Sequence, residues 1–240
     1  LFVADVQTIY QPIYTEMRER NIRRLRESGV VVDAALLSGQ PDMRQGIGLF
    51  AFMEQSMPAL DRLIADVSSV FADQICYTLS PTPADNFGRI HFTFFQFLKV
   101  DSIPSDFSQK DKQIYENITA SVLASMKPFT ITYKGVMAIP TGLLIYGYPS
   151  YDVNPYRERL RTELIQSKVH FIEAYKSDIV HSTILRVAAR LDPQLLIEFA
   201  RTYDGQELFS TTVHKIQLGF GSWRMRDEEI QMIETFDLKV

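Results

Sequence analysis

The sequence is short of several things. Its 240 residues hold one cysteine, one tryptophan and four histidines. Cys76 alone cannot close an internal disulfide, and no Cys/His cluster has zinc-ligand spacing, so no metal site is expected. No apolar stretch approaches the roughly 20 residues that span a bilayer, so no membrane partner is expected. Leu1 to Tyr10 contains Asp5 and Gln7 and lacks a basic start, so it does not read as a signal peptide. A cytoplasmic or other reducing compartment is the default expectation. An excess of positive charge is also missing. With 25 Lys+Arg against 29 Asp+Glu the net charge is -4, which argues against a protein that grips a long nucleic-acid duplex through its phosphates. A small nucleotide or a short RNA end remains compatible. There is no Gly-x-Ser-x-Gly elbow, P-loop, Gly-x-Gly-x-x-Gly turn or His-Glu-x-x-His pair, and nothing calls for a cofactor.

What is present can build a core: 46% of the residues are hydrophobic and 22% charged. The pattern along the chain is α+β. Ile9, Ile13, Met17, Ile22 and Leu25 predict an amino-terminal helix with an Arg/Glu-rich solvated face, ended by Gly29. Residues 38–48 read as a loop. Pro58 starts a second helix to about Phe71, with Leu60, Leu63, Ile64, Val67 and Val70 inward. Strands follow at 75–79 and 90–100, around a turn region at 81–88, and then a helix at 110–126. A strand pair at 129–138 and 142–148 is joined through Pro140-Thr141-Gly142. After it come a helix from Pro155 to about Ser167 with Leu160, Leu164 and Ile165 inward, a strand at 179–187 and a helix begun by Asp192-Pro193. Two closing strands lie at about 211–220 and 229–239. The second half echoes the first, which predicts two lobes sharing one core rather than two domains on a string.

The histidines carry the chemistry. His91-Phe92-Thr93-Phe94 and His181-Ser182-Thr183-Ile184 share the form His-x-Thr-apolar, each on a predicted strand. Alternation along a strand puts residues i and i+2 on one face, so each motif presents an imidazole beside a hydroxyl. Two such pairs meet the needs of phosphodiester cleavage. One neutral imidazole takes a proton from the attacking oxygen, and a protonated one gives a proton to the leaving oxygen. The threonine hydroxyls donate to the phosphate oxygens as charge develops.

With both tetrapeptides on matching strands of an apparent repeat, the chain resembles the two-histidine (2H) phosphoesterase superfamily. That superfamily includes 2'-5' RNA ligase-like proteins and cyclic nucleotide phosphodiesterases. Thr141-Gly142-Leu143-Leu144-Ile145 and the longer form His181-Ser182-Thr183-Ile184-Leu185-Arg186 strengthen the likeness. It covers about 75–240 and implies a bilobal fold with antiparallel sheets lining a central cleft and helices outside. Residues 1–74 would then be a helical extension packed on that core. The resemblance implies that His91 and His181 are the acid/base pair and that Thr93 and Thr183 bind phosphate. It implies hydrolysis of a 2',3'-cyclic, 2'-5' or terminal phosphodiester of a nucleotide or short RNA. A 2'-5' RNA ligase, or a binding module that keeps the cleft and turns over nothing, is the alternative.

Tyr146 and Tyr148 share one strand face and are candidate platforms for a base. Arg186 has parity opposite to His181 and Thr183, so a regular strand turns it away from the cleft. His170 and His214 lack a threonine two residues on and are expected at structural or surface positions. Trp223 fits either core or cleft rim. Phe95 and Phe97, of His91 parity, are expected in the core.

Overall fold

The computed structural model describes residues 5–38, 42–53, 57–71, 76–80, 88–103, 107–174 and 176–239. Most of the turn expected at 81–88 lies outside them. Among the described residues, ten strands form two sheets. The four-stranded sheet contains β1 (Gln45–Phe52), β4 (His91–Leu98), β9 (Lys215–Ser222) and β10 (Gln231–Asp237), in the order β10-β9-β1-β4. The six-stranded sheet contains β2 (Cys76–Ser80), β3 (Gly88–Arg89), β5 (Phe129–Ile139), β6 (Gly142–Pro149), β7 (His181–Val187) and β8 (Glu207–Val213), in the order β3-β2-β7-β6-β5-β8. All neighbours are antiparallel except β2 and β3. The α+β, two-sheet architecture is as expected, but the lobes are not consecutive halves of the chain. The histidine strand β4 shares its sheet with the last two strands, and β2 joins the sheet of β7.

The expected boundary at 74/75 is likewise not where the molecule divides. β1 lies inside the expected extension, yet it is a central strand, hydrogen-bonded to β9 on one side and β4 on the other. Its sequence, Gln-Gly-Ile-Gly-Leu-Phe-Ala-Phe, hides the strand because its glycines imitate a loop. Those glycines are instead places of close approach: a Cβ on Gly46 would stand 2.6 Å from the Leu98 carbonyl oxygen. The two closing strands are in fact three, because the chain leaves one sheet at His214 and enters the other.

Helix α1 (Val6–Ser28) lies across β5 and β6, beside α5 (Pro193–Thr202). Its buried stripe is Tyr10, Tyr14, Asn21 and Leu25, one step round from the expected isoleucines, which pack along its flanks. The exposed side does carry Arg20, Arg23, Arg24 and Arg26. Gly29 closes the helix at φ +74°, donating its N–H to Leu25 O. Helix α2 (Pro58–Val70) rests on β2 and β8, while α3 (Gln109–Leu123) and α4 (Asn154–Ser167) pack together. Two expected inward residues are not inward: Val70 at a helix end and Ile165 are exposed, and on α4 the buried positions are Arg157, Leu160 and Leu164.

Tyr14 ties α1 to the lobe of β7. Its hydroxyl lies 2.7 Å from both Gly147 O and Val180 O, and it accepts from Val180 N–H at 3.0 Å. Phenylalanine there orphans buried backbone groups of the chain entering β7. Tyr14→Phe is expected to cost about 1–3 kcal/mol, read as a lower denaturant midpoint at unchanged slope; an unchanged midpoint would show the contact to be idle.

Candidate active site

β4 and β7 bring the two motifs to one place. His91, Thr93, His181 and Thr183 all line a single cleft of about 310 Å³ between the sheets. Phe50 of β1 stands edge-on to the His91 ring at 5.4 Å. Thr141, Ser177 and Trp223 line the same cleft. The turn before β6 depends on Gly142, at φ +150°, where a Cβ would meet Leu185 O of β7 at 1.9 Å.

Both histidine-bearing strands are bulged just after the threonine. Opposite β1, successive partners on β4 run from Phe95 to Thr93, leaving Phe94 as the extra residue. Opposite β6, the partners on β7 run from Leu185 to Thr183, leaving Ile184 extra. A bulge inserts one residue and reverses the parity of the residues after it. The fifth residue after each histidine therefore turns back into the cleft: Gln96 in one lobe and Arg186 in the other. The expectation that Arg186 faces away is thus overturned, because it assumed a regular strand. Phe92, Phe94, Phe95 and Phe97 are all buried in the core. The signal was present in the sequence, since Phe94-Phe95 and Ile184-Leu185 are paired apolar residues where alternation requires one.

Tyr146 and Tyr148 do share a face, with ring centroids 6.3 Å apart. That face is covered by α1. Tyr14 packs on both rings, Arg18 donates to the Tyr146 hydroxyl at 2.7 Å, and Tyr148 donates to Gln11. Neither lines the histidine cleft, so the structure does not bring them to the site. His170 and His214 are exposed. Trp223 is at the cleft wall, where the Arg186 guanidinium lies 4.5 Å over its ring.

The electrostatics follow from burial. Burial pushes the His91 imidazole down to about 4, and the positive charges of Arg186 and Arg89 act in the same direction. Its Nδ1 donates to the Arg89 carbonyl at 3.0 Å, a contact that favours the charged ring and leaves Nε2 for chemistry. Burial pushes His181 lower, to about 3, helped by Arg157, His91 and Arg186. Both rings are therefore neutral at neutral pH. Among the described residues, no group of three His, Cys, Asp or Glu side chains could hold a metal ion, and no helix is long and apolar enough to cross a membrane.

No protein-family model and no curated protein matches the chain. Solved structures do. A crystal structure of a phosphoesterase superposes with a TM-score of 0.54 at 15% identity, over 82% of this chain and 99% of its own. TT0787 of Thermus thermophilus gives 0.52 at 11% identity, over 80% of this chain and 97% of its own. LigT of E. coli, crystallised with 3'-AMP, gives 0.50 at 16% identity, over 83% and 100%. The fold is that of the 2H phosphoesterases. The share of this chain that matches the 2H fold exceeds residues 75–240, in keeping with the place of β1 in the four-stranded sheet. At these identities the likeness is one of fold.

Two buried neutral imidazoles make stability depend on pH. In the unfolded chain each ring titrates near 6.5; in the folded one, near 4 and 3. Between those values the unfolded chain binds protons that the folded chain does not. Their contribution is therefore complete above pH 6.5 and is lost as pH falls toward 3, by on the order of a few kcal/mol. A His91→Gln/His181→Gln double variant is expected to show a shallower decline in melting temperature from pH 7 to 4 than the parent. Parallel declines would refute the depressed pKa values.

Proposed function

We propose that this chain is a phosphodiesterase acting, without a metal, on a 2',3'-cyclic phosphate or a 2'-5' or terminal phosphodiester of a nucleotide or short RNA. The observation that carries this reading is the convergence of both imidazoles and both threonines on one cleft. Binding alone has no use for two matched imidazoles. The phosphate lies between the motifs, its non-bridging oxygens accepting from the Thr93 and Thr183 hydroxyls. Arg186, whose charge is felt by both rings, offsets the anion. LigT crystallised with 3'-AMP and with NADP+ supports a ligand of nucleotide size.

We assign the roles of the rings from their contacts. The Arg89 carbonyl stabilises a charged His91, so His91 takes up the proton when the anion arrives and serves as acid. His181, beside the Arg157 charge, stays neutral and serves as base. Its nitrogen takes a proton from water as the water oxygen attacks phosphorus. The ester P–O bond breaks, and His91 gives its proton to the leaving oxygen. With a ribose hydroxyl in place of water, the same steps form a new diester as one ring P–O bond of a cyclic phosphate breaks and its leaving oxygen is protonated, which is the ligase reading.

Either His→Ala variant is expected to lose at least roughly 10²-fold in rate on a 2',3'-cyclic nucleotide, with wild-type turnover unaffected by EDTA. Full turnover by both variants would sink the proposal. Tight binding with no product would leave a nucleotide-binding module.

The assignment of acid and base has its own check. A p-nitrophenyl leaving group needs no proton, so a p-nitrophenyl phosphodiester should restore much of the activity of His91→Ala and little of that of His181→Ala. The opposite pattern exchanges the roles.

A further inference from the structure

His91 owes its orientation to one carbonyl, and that carbonyl lies at the end of a relay of hydrogen bonds. The Arg89 oxygen accepts from His91 Nδ1 at 3.0 Å. Arg89 is held in turn by its own N–H, which donates to Met225 O at 2.7 Å. The next N–H, of Ile90, donates to Ser80 O at 3.0 Å. Gly88 leaves room for this approach, since a Cβ there would stand 1.8 Å from Arg224 O.

Met225 does not take up its conformation unaided. Its φ of +51° lies in the left-handed region that residues with a Cβ disfavour. One hydroxyl holds the turn there. Ser222 Oγ accepts from Arg224 N–H at 3.1 Å and from Met225 N–H at 3.2 Å. The same hydroxyl donates to Glu229 Oε2 at 2.6 Å, which polarises it and makes it a better acceptor. The other carboxylate oxygen of Glu229 accepts from Arg224 Nε at 2.9 Å and from Asp42 N–H at 3.0 Å. Ser222, Arg224 and Glu229 are all buried, so water does not replace a bond lost among them.

We infer that Ser222 is a positioning residue for His91: it fixes the Met225 carbonyl, which fixes Arg89, which keeps the His91 ring protonated on Nδ1. The inference rests on the reading of His91 as the acid and adds what aims that acid. An imidazole without such an acceptor carries its proton on either nitrogen, and only the Nδ1–H form leaves Nε2 to exchange the catalytic proton. The relay starts at the end of β9, crosses to β3 of the other sheet and returns to β4. Ring orientation is thereby coupled to how the two sheets meet. Ser222 also lines the cleft, so direct contact with substrate is the rival role that a test must separate.

The test places Ser222→Ala in the full chain, alone and together with His91→Ala. Nitrogen chemical shifts of the ring, read by NMR, report which nitrogen of His91 is protonated, with no need for turnover. The parent is expected to hold the proton on Nδ1, and Ser222→Ala to show both tautomers. On a 2',3'-cyclic nucleotide, Ser222→Ala should lose roughly 10-fold in kcat with KM little changed, and lose nothing further beside His91→Ala. Ser222→Cys, which keeps the packing but offers only a weak acceptor, should change in the same direction by less. A ring that stays on Nδ1 in both Ser222 variants, or an undiminished further loss beside His91→Ala, would overturn the inference. If the ring is indifferent while His91→Ala is inactive, the phosphodiesterase reading stands and the relay falls. If the ring responds while both histidine variants turn over fully, that reading falls and the hold of Ser222 on the ring stands.

Discussion

The arrangement of the site hangs on one buried cation. Arg157 of α4 has no solvent exposure, and its guanidinium reaches β4 and the segment entering β7 at once. Nε donates to Phe94 O at 2.8 Å, on the bulge of β4, and a terminal nitrogen donates to Ile179 O at 2.9 Å, two residues before His181. Its third bond goes to Asn154 on its own helix. These acceptors are neutral, so the ion is held by dipoles, with the rings of Phe92 and Phe94 at 5.5 Å. Taking a guanidinium out of water costs several kcal/mol, and burial indeed lowers its hold on its proton. What the protein gains is position. One planar group sets where β4 lies relative to the entry of β7, and its field helps keep His181 neutral. The convergence of the two imidazoles on one cleft is thus a property of α4 as much as of either sheet.

Around that clamp the two motifs are alike in backbone and unlike in charge. Each strand bulges after its threonine and returns its fifth residue to the cleft. In one lobe this is Gln96, whose Oε1 accepts from Ala174 N–H at 3.0 Å and so secures the segment before β7. In the other it is Arg186, stacked on Trp223. The repeat sets the geometry, and the substitution of a cation for an amide gives the cleft a positive end. The two ends of the cleft therefore differ, with Arg186 at one and Ser177 and Gln96 toward the other.

Much of this was legible from residues alone. The helices announced themselves through Pro58, Pro155 and Asp192-Pro193, and the two His-x-Thr tetrapeptides pointed to residues that line one cleft. The misses have physical causes. β1 was hidden by Gly46 and Gly48, residues that weaken a strand locally and are present because neighbouring backbone leaves no room for a side chain. Arg186 was misplaced because parity counting assumes regular pleating, and Ile184-Leu185 breaks it. Tyr146 and Tyr148 were correctly put on one face, but which face meets solvent depends on where α1 docks. That helix lies more than a hundred residues away in sequence. Local pattern names an element; long-range packing decides what covers it.

The interleaving of the two sheets has a consequence during synthesis. β1 and β4 can pair as soon as both have left the ribosome, but the other edge of β1 stays open until β9 emerges. At about 5–20 residues per second that wait is on the order of ten seconds. Throughout it, the strand His-Phe-Thr-Phe-Phe-Gln-Phe-Leu has its aromatic side without the finished sheet behind it. A nascent chain of this kind offers sticky surface and an unpaired edge to its neighbours on the polysome. The lobe that carries the first histidine is therefore the last to be completed, and a chain cut short before β9 forfeits that lobe entirely.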